Sequence, residues 1–157
     1  MTSANLKRVH NAVRDAIAAN PRRDRWYIFD YILPEIQIEG FEALGYGAAR
    51  IAFGKGNLAY KVNWLHIAGV ENDQTSYEAR RYAEIEDGVT LPEPFAIPRM
   101  RFAEIDGVLH TIAQWIRGES AGDEIWEMTV PEALGYDIHQ QQFVVRNGRY
   151  YMVDLGL

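Results

Sequence analysis

Residues 41–62 read FEALGYGAARIAFGKGNLAYKV, and their reading decides the fold. Short apolar and aromatic segments alternate with glycine-bearing turns, at Gly45–Gly47 and again at Lys55-Gly56-Asn57. That pattern predicts three successive strands joined by tight turns. On the N-terminal side, Leu6, Val9, Val13, Ala16 and Ile17 recur at three- and four-residue spacing. They predict a helix capped by Ser3 and stopped at Asn20-Pro21. A basic connector, PRRDR, occupies 21–25, and Trp26 to Ile38 is an apolar, aromatic piece, helical or extended, broken at Pro34. On the C-terminal side, residues 73–87 predict a second helix ended by Gly88, with Tyr77, Arg81 and Glu84 on one side. Two apolar runs then meet at Asp106-Gly107, the strongest local signal for a two-residue hairpin. Residues 118–135 read as a loop with one short helix. A last hairpin joins the apolar runs on either side of Asn147-Gly148. Helices set apart from runs of antiparallel hairpins give the α+β class rather than alternating α/β.

The chain has 157 residues, the length of an average domain, and 48% of them are apolar, enough for a buried core. Sixteen Lys and Arg against 22 Asp and Glu give a net charge of −6, which argues against non-specific binding to nucleic acid or to an anionic membrane. The chain has no cysteine, which excludes disulfides and thiolate zinc sites and suits a reducing compartment. No apolar run approaches the ~18 residues of a membrane-spanning helix. The charged N-terminal segment lacks the apolar stretch of a secretory signal.

Four places can carry chemistry. The first is the Gly45–Gly47 turn, where missing side chains let a backbone approach phosphate oxygens; the plainer reading is two glycines in a hairpin. The second is Lys61, in the middle of an apolar strand. It faces solvent, or it faces inward and needs a carboxylate partner, because a buried unpaired ammonium is costly. The third is Glu78, on the helix that follows. It suits delivery of a carboxylate to that lysine, against the plainer reading of a surface glutamate. The fourth is the pair Asp137 and Asp154. Asp154 follows an apolar strand and precedes Leu155-Gly156, a favourable place to hold a hard cation, and the hairpin between the two aspartates folds them toward one another. As plain turn aspartates they would carry no chemistry. His10, His66 and His110 lie singly, without metal-ligand spacing, and His139 reads as a brace for the loop at Asp137.

In chain order these are a Gly-x-Gly turn, a strand lysine, a helix glutamate, Asp137-Ile138-His139 ahead of an apolar strand, and Asp154-Leu155-Gly156. The series resembles the protein-kinase-like fold in its small-molecule and atypical bacterial and phage forms. The resemblance covers residues 41–157. It implies an α+β domain with a kinase-like antiparallel N-lobe sheet, a regulatory-type helix and a strongly truncated C-lobe. Residues 41–157 would form a single compact unit, preceded by an N-terminal helical extension over 1–40. It implies ATP and magnesium as cofactors. Gly45, Gly47 and Lys61 would hold phosphates, with Glu78 orienting Lys61. Gln114 and Ile116, flanking Trp115, would form the hinge that receives the adenine. Asp154 would bind magnesium with Gln142 as second ligand, and Asp137 would act on the acceptor hydroxyl.

The sequence also departs from the family's pattern. Arg50 replaces the third glycine of the loop, Gln142 stands where the family has Asn five residues after its aspartate, and the chain stops one residue after Asp154-Leu155-Gly156, without an activation segment. The resemblance implies phosphoryl transfer to a hydroxyl acceptor. Its alternative is a pseudokinase that binds a partner without turnover. A small α+β interaction protein, with Trp115 and Trp126 at a protein interface, is the third reading. A protein substrate or protein partner is expected, and a homodimer through an uncovered sheet edge is compatible with so small a lobe. No membrane and no nucleic acid are expected as partners. The expected location is the cytoplasm, the host's if the protein is phage-encoded.

Overall fold

The computed structural model describes residues 2–22, 24–88, 90–134 and 142–154. The chain divides into two compact units, residues 1–75 with 101–113 and residues 76–100 with 114–157. The first begins with α1, Thr2–Ala18. Its apolar stripe is buried as the spacing predicts, with Leu6, Val9, Val13 and Ile17 all in the core. The helix starts at Thr2, so Ser3 lies inside its first turn instead of capping it.

The aromatic piece after the basic connector is helical. Asp24 accepts a hydrogen bond from the Tyr27 N–H at 3.1 Å and so caps the short α2, Arg25–Tyr27. The chain continues as a π-helical turn over Ile28–Ile32 and a 3-10 turn over Leu33–Glu35. Pro34 falls at the start of that last turn, where its missing N–H has no helical partner to lose, and the backbone becomes extended at Ile36. Ile28, Ile32, Leu33 and Ile36 join the same core as α1.

Residues 41–62 form the three expected strands, β1 Glu42–Tyr46, β2 Ile51–Lys55 and β3 Leu58–Val62. A helical turn that the periodicity does not signal follows at once: α3, Trp64–Ile67, capped by the Asn63 side chain, which accepts from the His66 N–H at 3.1 Å. The longer helix α4, Gln74–Glu86, comes next, and then β4 Phe95–Ala96, β5 Met100–Ile105 and β6 Val108–Gln114. Asp106 and Gly107 have φ of 51° and 79°, so both central residues of the β5–β6 turn are left-handed, as a two-residue hairpin demands. The resulting five-stranded sheet has the order β1-β2-β3-β6-β5. Phe53, Tyr60, Val62, Trp64 and Ile112 pack with Leu6, Val9 and Val13 into one core. Residues 1–40 therefore share their core with the strands that follow; residue 40 marks a change of secondary structure, not of compact unit.

The second unit is built on a four-stranded sheet of order β4-β9-β8-β7, with β7 Glu119–Ser120, β8 Phe143–Arg146 and β9 Arg149–Met152. β8 and β9 are the expected hairpin, with Asn147 and Gly148 at φ of 52° and 74°. β4 pairs with β9 in parallel through Phe95 and Tyr150. β7, too short to show a strand period, pairs with β8 through Glu119 and Val145. Beside it, a side chain at Gly118 would run into the Val145 carbonyl, so that position is closed to every residue but glycine. The segment expected to hold one short helix contains two 3-10 turns, Asp123–Glu127 and Glu132–Leu134. Ile125, Leu134, Phe143 and Met152 are fully buried, and Phe95 meets Phe143 edge-on with ring centroids 6.1 Å apart.

Candidate functional site

The glycine turn is a built structure. Gly45 has a φ of 143° and sits where the β1–β2 register shifts, a bulge that a side chain would strain. No atom lies within 4 Å of where a Cβ on Gly45 or Gly47 would stand, so the backbone is open to approach at both. The turn is closed by the Gly47 N–H, which donates to the Arg50 carbonyl at 2.8 Å. The Trp64 indole N–H then clamps the Gly47 carbonyl at 2.9 Å. Gly47 thus contributes shape and access, while its own amide is engaged. Arg50, which stands in place of a third glycine, is buried and donates to the Thr111 hydroxyl on β6 at 3.4 Å.

Lys61 stands in β3 opposite Ala52 of β2 and is half-buried. Glu78 is fully buried on α4, which removes the reading of a surface glutamate. A buried carboxylate needs charge or hydrogen-bond compensation, so this position carries a demand that an ordinary helix glutamate does not.

At the hinge stretch, the Gln114 N–H donates to the Arg99 carbonyl at 2.8 Å, and the Arg99 N–H returns a bond to the Gln114 side-chain oxygen at 3.4 Å. The Gln114 amide is therefore engaged within the chain. Ile116 is buried two residues on.

The last hairpin carries two of the candidate residues near its open end. At its open end the Val153 N–H donates to the Gln142 carbonyl at 2.8 Å, one step beyond the Phe143–Met152 pair. Gln142 thereby stands opposite Val153, with Asp154 one residue further on; Gln142 is buried and Asp154 half-buried. A carboxylate and an amide carbonyl are hard oxygen donors, the chemistry that suits magnesium. Among the described residues no group of three or more His, Cys, Asp or Glu side chains is placed to hold a metal ion. Asp137 and His139 lie outside the described residues.

The polar feature that sequence reading missed lies at two of the histidines. His10 and His110, which appear isolated in the sequence, are hydrogen-bonded to each other at 2.8 Å between His10 Nδ1 and His110 Nε2, and both are buried. The Asn63 N–H donates to His110 Nδ1 at 3.1 Å, and His10 Nε2 lies 3.4 Å from the Asp106 carboxylate in the β5–β6 turn. Burial, reinforced by the neighbouring His10 and His66, pushes the His110 pKa down to about 3. Burial also lowers His10, against the opposing pull of Asp106. The available signal was His10 itself, a polar residue set between Val9 and Val13 of the apolar stripe.

No protein-family model matches the chain, and no curated protein does. Solved structures do. One is WbdD in co-crystals with the kinase inhibitor LY294002, at 15% identity over 71% of this chain and 31% of that one, with a TM-score of 0.45. Another is APH(2")-IIia in complex with GDP and kanamycin, at 16% identity over 68% of this chain and 34% of that one, with a TM-score of 0.38. The chain spans about a third of the length of each.

Proposed function

We propose that this protein transfers the terminal phosphoryl group of ATP to a hydroxyl acceptor. The observation that carries the proposal is the fully buried Glu78 on α4, the longer helix after the lysine strand. A fold keeps such a group only where a charge or hydrogen-bond partner compensates it, and in this reading the partner is a cation. In this reading Lys61 neutralises phosphate charge and Glu78 holds its ammonium in place. The open backbone at Gly45 and Gly47 lets the phosphates lie close to β1 and β2. Asp154 and Gln142 are the oxygen ligands for magnesium, which when bound neutralises charge on the phosphates. The Gln114 carbonyl and the backbone at Ile116 address the base. Asp137 accepts the proton of the acceptor hydroxyl. Positioning and charge neutralisation do most of the catalytic work in such a transfer, and these residues supply both.

One observation favours the second reading, a partner-binding module without turnover. Two amides that would otherwise address a nucleotide, those of Gly47 and Gln114, are engaged by carbonyls of the chain. Calorimetry separates the two readings. Phosphoryl transfer requires ATP binding with magnesium that weakens strongly when EDTA replaces the metal. Equal binding in both conditions, or none in either, would return the protein to the partner-binding class.

A further inference from the structure

The hydrogen bonds through His10 and His110 leave only one arrangement of protons. A backbone N–H can only donate, so the nitrogen facing Asn63, His110 Nδ1, is bare. His110 then carries its proton on Nε2 and donates it to His10 Nδ1 across 2.8 Å. That nitrogen is bare in turn, which leaves the His10 proton on Nε2, directed at Asp106. Both rings are neutral, and the polarity runs from the end of β3 through β6 and α1 to the β5–β6 turn. Added at either Nδ1, a proton would set N–H against N–H in a site that water does not reach.

We propose that this uncharged histidine pair is an acid-released latch that holds α1 against the sheet. The charged and titratable groups facing it are few. Asp106, from the β5–β6 turn, and Arg14, one helical turn beyond His10 on α1, face His10; Arg14 lies 3.5 Å from the same Asp106 carboxylate. His66, from α3, faces His110. Asp106 is 64% exposed, so its support for a charged His10 is screened, whereas both imidazoles are buried. The rest of the α1 attachment is apolar apart from bonds such as that from Asn5 to the Tyr60 hydroxyl at 3.1 Å.

The sign follows from linkage. Latched, both rings resist protonation; released, each takes a proton at the ordinary histidine value of about 6.5. A fall in pH therefore favours release. At about pH 5.5, His110 alone shifts the latched–released equilibrium about tenfold relative to about pH 7.5, and His10 adds in the same direction.

The test is amide hydrogen exchange on the full chain at about pH 7.5 and about pH 5.5, corrected for intrinsic exchange. The α1 amides should open at least about tenfold more at the lower pH, while β8 and β9 keep their protection. In the double variant His10→Asn with His110→Gln, which cannot charge, α1 should show no such change. Unchanged protection of α1 in the wild type, or an equal change in the variant, would overturn the latch. Should the double variant not fold, nitrogen NMR of the wild-type imidazoles decides. Both rings must be neutral at about pH 7.5, with Nδ1 bare and Nε2 protonated; the opposite tautomer or a charged ring at either site sinks the idea.

Discussion

The turns at Asp106-Gly107 and Asn147-Gly148 are alike in backbone and different in use. Each places two successive residues at positive φ, and each joins two strands that pair closely. At the first, the tip has a tertiary role: the Asp106 carboxylate faces His10 and Arg14 of α1 and ends the buried histidine chain. At the second, the tip is exposed and the candidate ligands Gln142 and Asp154 lie at the open end, where the Val153 N–H donates to the Gln142 carbonyl. The difference teaches that turn chemistry sets where a hairpin bends, while the elements around it decide which end is put to work.

The units that hold these hairpins should be about equally sensitive to loss of their central aromatic. Phe53→Ala in the first and Phe143→Ala in the second each remove a ring that is at most 1% exposed. Each should cost about 3–5 kcal/mol in urea unfolding. A loss below about 1 kcal/mol at either would mean that its cluster does not hold that unit together.

Function should separate the two hairpins more sharply than stability does. Asp154→Ala, at the mouth of the second, should weaken magnesium-dependent ATP binding by about 100-fold or more, a loss of about 3 kcal/mol. Asp106→Ala, at the tip of the first, should leave that affinity unchanged in the same calorimeter. Equal effects would erase the distinction drawn between tip and mouth.

Acid should act on the first hairpin's surroundings. The folded-state pKa of His110 is depressed to about 3, so the unfolded chain takes up its proton first, near pH 6.5. Stability is therefore full above about pH 6.5 and falls progressively as pH drops toward 3, with about 1.4 kcal/mol lost by about pH 5.5. Denaturant titrations at about pH 7.5 and 5.5 measure this, and an unchanged midpoint would contradict it. The exposed carboxylates Asp24 and Glu124, held low mainly by backbone N–H bonds, weaken the fold only at more acidic pH, where they protonate.

The smallest effect comes from exchanging the two tip residues. Asp106→Asn keeps a side chain that tolerates left-handed backbone but removes the carboxylate near His10 and Arg14, so stability should fall by up to about 1 kcal/mol. Asn147→Asp, at an exposed tip, should stay within about 0.5 kcal/mol of wild type. Equal shifts in the two melting curves would mean that Asp106 has no tertiary role.

Much of the candidate site was legible as local structure and less of it as chemistry. The Gly45–Gly47 turn, the strand of Lys61 and the helix of Glu78 all follow from turn residues and burial period. That Arg50 points inward to Thr111 did not follow, because it depends on β6, a strand that joins the meander from later in the chain. The short β7 and α3 were missed for a related reason. Two to four residues cannot display a period, and those elements exist because a neighbouring strand or the Asn63 cap stabilises them.

What the sequence determined by itself was the series of elements: the α1 stripe, the three-strand meander, the later helix and the two Asx-Gly hairpins. Backbone preference at turns and alternation of apolar residues are properties of adjacent residues, so a linear reading reaches them. Only the tertiary structure decided that His10 meets His110, a hundred residues away, and that Glu78 lies fully out of water. The physical reason is that a buried polar group is defined by its partner, and the partner is chosen by how sheet and helices pack, a relation that no neighbouring residue encodes.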